Sequence, residues 1–276
     1  MRRNFRTTIV SLVVLLVLAL FTLLSCGNTS SKKLRVGMEC AYPPFNYTET
    51  VNTESNVAIA NVPGAYVDGY DVQIAKIIAS ELDMELEIQA ISWDGLIPAL
   101  QANQIDLIIA GMSKTEERLK TIDFTNDYYE SEEVVVVKAN GSYANATTLN
   151  DFAGARVIGQ VGTIYADLVP QMVEKGAVAG TNLDTVPEII NAINNNTVDA
   201  TILELPVAQG VVAANSSLKL IRLTDGFEVS DEDVKVSIGI RKNYDLKDRI
   251  NSILQSITAA RRAELMTNAV NASSGE

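Results

Sequence analysis

Apolar positions along the chain fall into two spacings that alternate. Leu34-Arg-Val-Gly-Met38 and Met84–Ala90 carry their apolar residues every second position, and Val134–Lys138 is a continuous β-branched run. These spacings predict strands, the last one buried on both faces. Val72–Leu82, Leu96–Leu100 and the segment from Gly162-Thr163 to about Lys175 carry theirs at helical spacing. Further strands are expected at Ala155–Gln160, Leu218–Arg222 and Val234–Arg241, and further helices at Val207–Ala213, Leu246–Ile257 and Ala260–Val270. Caps sharpen some of these. Asp71 is read as the cap of the Val72 helix, Ser113-Lys-Thr-Glu116 as a capping box, and Thr185-Val-Pro-Glu188 as another with an early proline. Asn46–Asp68 is a long polar insert with no clear period.

One pattern occurs twice. Residues 95–112 and 188–205 align at a constant offset of 93, pairing Leu96 with Ile189, Leu100 with Ile193, Asn103 with Asn196, Asp106 with Asp199 and Ile109 with Ile202. Each copy is a helix, a polar turn ending in Asp, and a short apolar strand. Reuse of this unit predicts an α/β protein of two similar lobes, with two mostly parallel sheets flanked by helices and a ligand cleft between them. Asp106 and Asp199 are explained as turn formers.

Charge and targeting signals narrow the class. Arg2, Arg3 and Arg6 precede an apolar stretch from Thr8 to Leu24, which runs into Leu23-Leu24-Ser25-Cys26. Residues 1–25 resemble a bacterial lipoprotein signal, with Cys26 lipidated and residues 26–33 a polar tether. An uncleaved anchor or an ordinary signal peptide are the alternatives, and all three place the folded part outside the cytoplasm. Of the 22 basic residues, those three arginines lie in the signal, leaving 19 against 34 acidic and a net charge of −15. Such a chain is not a nucleic-acid binder. There is no histidine, which removes Ser-His-Asp and Cys-His nucleophiles and the commonest metal ligand. Cys40 is expected to be a small packed thiol.

In open parallel sheets, ligands bind beyond the carboxyl ends of the strands. After the strand of the first copy come Ala110, Gly111, Ser113 and Arg118, which together offer close backbone approach, a hydroxyl and a planar fork for a carboxylate. After the second comes Glu204, at the position matching Gly111. One lobe presents an anion site and the other an anion, a combination suited to a zwitterion.

The chain resembles the amino-acid-binding proteins of ABC importers, the polar amino-acid group of bacterial extracellular solute-binding proteins. The stretches that carry this are Val36-Gly-Met-Glu-Cys-Ala-Tyr-Pro-Pro-Phe45, Gly69-Tyr-Asp-Val-Gln-Ile-Ala75, Trp93-Asp-Gly-Leu-Ile-Pro-Ala-Leu100, Asp106–Arg118, Ile122–Tyr128, Gly159-Gln-Val-Gly-Thr163 and Val198-Asp-Ala200. The resemblance implies the type II periplasmic-binding-protein fold. The chain would cross between lobes near Glu130–Val134 and Asp233–Ser237, so that residues 34–132 and 236–276 form lobe one and 133–235 lobe two.

The resemblance also implies roles. Arg118, Ser113 and the backbone around Ala110 and Gly111 would hold the ligand carboxylate. Thr163 and the amide of Ile164 would meet it from the other lobe, and Glu204 would take the ammonium. Tyr42 and Trp93 would wall the side-chain pocket, and Glu39 would reach its far end. Two departures stand out. The ammonium partner in the family is usually Asp, one methylene shorter than Glu204, and the insert at 46–68 is longer than usual.

A Glu39 directed into the pocket selects arginine or lysine, with Trp93 available for cation–π contact; directed outward, it leaves glutamine or another polar amino acid. The expected protein is a monomeric binding component, not an enzyme, with no cofactor and no metal. Its partners are an L-amino acid, an ABC permease with a cytoplasmic ATPase, and the outer face of the membrane through the lipid at Cys26. A secreted dehydratase or a sensory binding protein on the same fold are the competing readings.

Overall fold

The computed structural model describes residues 32–274. The signal segment, Cys26 and most of the tether lie outside the described residues. From Lys33 the chain forms β1 (Lys33–Met38), then a small antiparallel sheet of β2 (Ala41–Tyr42), β3 (Asn46–Glu49), β4 (Val57–Ala58) and β5 (Tyr66–Asp68). Next come α1 (Tyr70–Glu81), β6 (Glu85–Ala90), α2 (Trp93–Gln101), β7 (Leu107–Ile108), α3 (Glu116–Leu119) and β8 (Asp123–Glu130). The second half starts with β9 (Glu133–Lys138), β10 (Arg156–Ile158), α4 (Ile164–Glu174) and β11 (Val178–Ala179). It continues through α5 (Val186–Asn194), β12 (Ala200–Glu204), α6 (Leu205–Ala214) and β13 (Leu218–Ile221). The chain then returns as β14 (Lys235–Ile240) and ends in α7 (Lys247–Ser256) and α8 (Ala259–Ser274).

Two five-stranded sheets follow one plan. The first has the order β6-β1-β7-β14-β8, the second β11-β10-β12-β9-β13. In the first, β14 is antiparallel to both neighbours while the other pairings are parallel; in the second, β9 plays that part. Four strands of each sheet therefore share one direction. The exceptions have a topological cause. β9 brings the chain into the second lobe and β14 brings it back to the first. Each starts at the cleft, where the parallel strands end. Strands β9 and β12 are buried at nearly every position, as sheets covered on both faces require.

The 93-residue repeat is exact in the helices: α2 and α5 begin and end 93 residues apart. Asn103 and Asn196 both take left-handed backbone, with φ of 58° and 57°. In each copy the aspartate then grips an arginine from the neighbouring strand. Arg35 donates its backbone N–H and Nε to Asp106 and its Nη1 to the Asn103 carbonyl. Arg156 does the same toward Asp199, with Nη2 on the Asn196 carbonyl. These aspartates fasten a strand to a turn and are not part of the cleft.

Two local expectations are corrected. Asp71 does not cap its helix; the N-cap of α1 is Gly69, two residues earlier, and Asp71 is buried in the first turn. Gly69 holds that position because its φ is 126° and a Cβ there would lie 2.4 Å from the Phe45 carbonyl oxygen. Ser113 does not open a capping box either, since Thr115 caps α3 and its hydroxyl accepts from the Arg118 N–H. The polar insert is folded. Its strands pair with one another, Ile59 bridges to Ile88, and Asn61 exchanges hydrogen bonds with both backbone groups of Ala90. It covers the outer edge of β6, which would otherwise present an open strand. The other expected elements stand within a few residues of their sequence bounds, and no described helix is long and apolar enough to cross a membrane.

The two arginine–aspartate clasps differ in burial. Asp106 is 13% exposed and receives Arg241 as well, whereas Asp199 is 27% exposed and, among the described residues, has Arg156 alone. Asp106→Asn should therefore lower the unfolding free energy by about 2 kcal/mol, because it strands two guanidinium groups in a half-buried place. Asp199→Asn should cost clearly less. Urea unfolding of the two variants checks the ranking, and equal losses would refute it.

Candidate functional site

Each side chain at the cleft sits just past the carboxyl end of a strand. β1 delivers Glu39 and Tyr42, and Trp93 begins α2 after β6. β7 delivers Ala110, Gly111 and Ser113, followed by Arg118 on α3. From the other lobe, β10 delivers Gln160, Thr163 and the first residues of α4, and β12 ends on Glu204, the N-cap of α6. Between them lies a tight pocket of about 10 Å³. It is lined by Glu39, Tyr42, Trp93, Gly111, Ser113, Arg118, Gln160, Thr163, Ile164 and Tyr165. Eight of the ten ligand-site residues expected from the sequence are in this lining. Of the other two, Ala110 is buried behind Gly111, and Glu204 stands behind Tyr42, whose hydroxyl donates to Glu204 Oε1 at 2.5 Å.

Copies of the repeat meet here. Glu204 Oε1 lies 3.8 Å from the place a Cβ on Gly111 would occupy, and that Cβ would also press on the Tyr42 ring at 3.0 Å. With φ at 61° as well, Gly111 admits no larger side chain without displacing the tyrosine. A second pair of equivalent positions also touches. Gln160 follows Arg156 by four residues, as Glu39 follows Arg35. Its Nε2 donates to both Glu39 oxygens, at 3.2 and 3.1 Å, and to the Asp184 carbonyl.

Gln160 is the lining residue to which the sequence assigned no role, while Tyr165, also in the lining, stood evenly between core packing and stacking on the ligand. For Gln160 a signal existed: Arg35-Val36 and Arg156-Val157 precede Glu39 and Gln160 at the same distance.

The charged groups of the cavity are held without opposite charges. Arg118 donates Nη1 to the Ser113 carbonyl at 2.6 Å and Nη2 to the Gly162 carbonyl at 3.1 Å, and its guanidinium lies 5.1 Å from the Trp93 ring. Burial lowers its pKa to about 10, the nearby Tyr165, Asp167 and Asp233 opposing the shift. Burial likewise raises Glu204 from 4.5 to about 8, against the hydrogen bonds from Tyr42 and Tyr165 that favour its charge; Asp71 and Glu133 push it further up. Glu39 is raised by burial, with the Gln160 bond opposing and Asp94 and Glu188 adding to the rise. Among the described residues, none of the three has an ion-pair partner.

Two hydroxyls face main chain. Ser113 donates to the Asp233 carbonyl at 2.9 Å and Thr163 to the Gln160 carbonyl at 2.8 Å. Trp93 Nε1 donates to the Gly162 carbonyl at 3.0 Å, so Trp93 and Arg118 share one acceptor on the opposite lobe. Beyond Glu39 and Trp93 the cleft widens into a second space of about 310 Å³. Its lining includes Asp94 and Asp184 and no basic residue. Cys40 is a buried thiol with its pKa pushed up to about 12, chiefly by burial.

The arrangement can accept a small zwitterion whose far end is cationic or strongly donating.

Comparison with known proteins agrees with this reading. The arginine-binding extracellular protein of Bacillus subtilis is 29% identical over 246 residues, covering 86% of this chain and 88% of that one. A substrate-binding protein of an amino-acid ABC transporter from Streptococcus pneumoniae, solved with L-arginine, superposes with a TM-score of 0.74 at 29% identity, covering 87% of this chain and 95% of that one. An ancestral arginine-binding protein bound to arginine gives 0.69 at 30% identity, covering 86% and 97%. The family is one of solute-binding proteins and not of enzymes, and its fold is the two-lobed type II architecture described above. Its model matches residues 34–268, and the chain belongs to the bacterial extracellular solute-binding proteins, family 3.

Proposed function

We propose that the protein is the extracytoplasmic binding component of an ABC-type amino-acid importer and that its ligand is arginine. One observation carries the choice of ligand: among the described residues, the pocket holds one guanidinium without an acid and one carboxyl without a base, and a second such carboxyl, Glu204, lies directly behind Tyr42. Arginine supplies the three complements. Its carboxylate would face Arg118, Ser113, the backbone at Ala110 and Gly111, and Thr163 with the Ile164 amide at the start of α4. Its ammonium would meet Glu204 under Tyr42. Its guanidinium would lie along Trp93 and reach Glu39. The similarity to arginine-binding relatives supports this reading.

Residues 34–132 with 236–276, and 133–235, would act as the two lobes that close on the ligand and present it to a permease driven by a cytoplasmic ATPase. Closure of this kind is driven by ligand contacts to both lobes. The monomer would be held at the outer face of the membrane by lipid on Cys26.

Titration calorimetry on the chain from Cys26 onward tests the ligand. Arginine should bind tightly and citrulline, its uncharged isostere, much less so. Glu39→Gln should weaken arginine by about 2 kcal/mol, roughly thirtyfold, since it removes a partly buried charge partner. Tighter binding of glutamine than of arginine, or an unchanged arginine affinity in the variant, would overturn the choice of arginine.

The raised Glu204 carboxyl gives a second prediction. In the folded, ligand-free protein it holds a proton until about pH 8, while the unfolded chain releases it near 4.5. Its contribution to stability is therefore full below about pH 4.5 and declines as pH rises through about 8, with a slope of at most about 1.4 kcal/mol per pH unit. An ammonium ligand needs the ionised form, so binding should release a proton between pH 6 and 8 and affinity should rise toward pH 8. Calorimetry in two buffers of different ionisation heat measures this. Glu204→Gln should abolish the release, and a wild type that releases no proton would contradict the assigned ammonium site.

A further inference from the structure

We propose that Asp71, a residue outside the ligand pocket, is the positioning residue that sets both ligand-bearing turns of the first lobe through two hydrogen-bonded relays. The inference rests on the arginine reading above for its ligand tests and on ligand-free geometry for the rest.

Asp71 is fully buried in the first turn of α1 and, among the described residues, has no ion-pair partner. Its Oδ1 accepts from the Tyr128 hydroxyl at 2.6 Å and its Oδ2 from Asn46 Nδ2 at 2.8 Å. Each donor passes the contact on. The Tyr128 oxygen accepts from the Gly111 N–H at 3.2 Å, and Asn46 Oδ1 accepts from the Cys40 N–H at 2.7 Å. Both relays thus end on a backbone N–H of a ligand-bearing turn. Both of those residues have left-handed backbone, φ being 61° at Gly111 and 60° at Cys40. For Cys40 that conformation is costly, and the bond from Asn46 helps to hold it.

The direction of the hydrogen bonds dictates the central residue. Both outer groups are N–H donors. A tyrosine hydroxyl and an asparagine amide can each accept on one side and donate on the other. The centre must then accept on both of its oxygens, which an ionised carboxylate does and an asparagine cannot. A leucine of similar size would fill the space but strand both relays. Desolvation of Asp71 raises its pKa to about 6, and the bonds from Tyr128, Asn46 and the Gly111 backbone limit the rise.

The relays diverge to opposite ends of the cavity. The Cys40 arm fixes the turn bearing Glu39, at the end assigned to the ligand guanidinium. The Gly111 arm fixes the turn leading to Ser113 and Arg118, at the end assigned to its carboxylate. Each arm should therefore govern recognition of one end, and Asp71 of both.

Three ligands separate the arms: arginine, agmatine (arginine without its carboxylate) and citrulline. Tyr128→Phe should lower the arginine-to-agmatine affinity ratio about tenfold while leaving the arginine-to-citrulline ratio within about twofold. Asn46→Ala should do the reverse. Asp71→Asn should lower both, and if it fails to fold the other two variants decide. Affinity losses that are equal for the three ligands, with a lower melting temperature, would reduce the network to plain structural support and overturn the proposal.

A ligand-free readout stands apart from the choice of arginine. The Gly111 amide proton should move upfield in Tyr128→Phe while that of Cys40 stays, and the opposite should hold in Asn46→Ala. Shifts of both amides together, or of neither, would overturn the relays whatever the ligand. A wild type that does not bind arginine but shows the selective shifts would overturn only the ligand assignment.

Discussion

A carboxylate buried without a cation is the constraint on which the cleft depends. Glu204 is 2% exposed, and an unpaired charge at such a place is expensive unless strong donors meet it. The donors come from both lobes: Tyr42 follows β1, and Tyr165 opens α4. The same need recurs at Glu39, met by Gln160 across the cleft, and at Arg118, met by the Gly162 carbonyl. Every one of these contacts uses an ionisable group that an amino acid would satisfy better. Tyrosine hydroxyls, an amide and a carbonyl are placeholders of the right polarity but without charge. The lobes are therefore held together by bonds weak enough to be exchanged for those of a ligand.

Topology explains why these groups converge. Because a single strand in each sheet runs backwards, all the other strand ends face the seam, and a doubled unit delivers equivalent positions to it from both sides. Away from the cleft the copies have stayed alike, down to the left-handed asparagine and the arginine–aspartate clasp. At the cleft they have diverged. Gly111 faces Glu204, and Glu39 faces Gln160. Retained scaffold with altered tips converts a symmetric frame into a polar site. An amino acid, with unlike ends, needs that asymmetry.

This division also governs what the sequence revealed. The repeat, most of the elements and eight lining residues were legible because they rest on local spacing and on residue types at strand ends. What failed depended on tertiary partners. Asp71 has the composition of a helix cap, yet Asn46 and Tyr128, distant in sequence, draw it into the core. Ser113 resembles a cap by its spacing to Glu116, yet its hydroxyl is taken by Asp233 from the returning segment. The insert at 46–68 shows only as a polar stretch because its strands are very short, and their pairing and the β6 edge give them order. Gln160 is polar and unremarkable until the matching arginines reveal it as the counterpart of Glu39. Left-handed backbone at Cys40 carries no sequence signal, since cysteine has no preference for it.

The contacts of Ser113 also tie the ligand turn to the crossing segment. Its hydroxyl bonds the Asp233 carbonyl, the Ser237 N–H bonds the Met112 carbonyl, and Lys114 pairs with Glu232 at 2.5 Å. The turn after β7 and the start of β14 are thus one hydrogen-bonded piece, and β14 is the strand by which the chain re-enters the first lobe. A ligand carboxylate that claimed the Ser113 hydroxyl would compete with the Asp233 carbonyl for a single donor. Binding would then alter the segment by which the chain returns to the first sheet as well as the surfaces that meet. The C-terminal helix adds a restraint, since α8 packs against both α1 and α6. With its partners on elements that follow different sheets, α8 must slide or part from one of them when the lobes open. Opening is accordingly opposed at three places: the charged seam, the Ser113 turn and α8. A ligand acts directly on the first two, which are the places where its own charges are most needed.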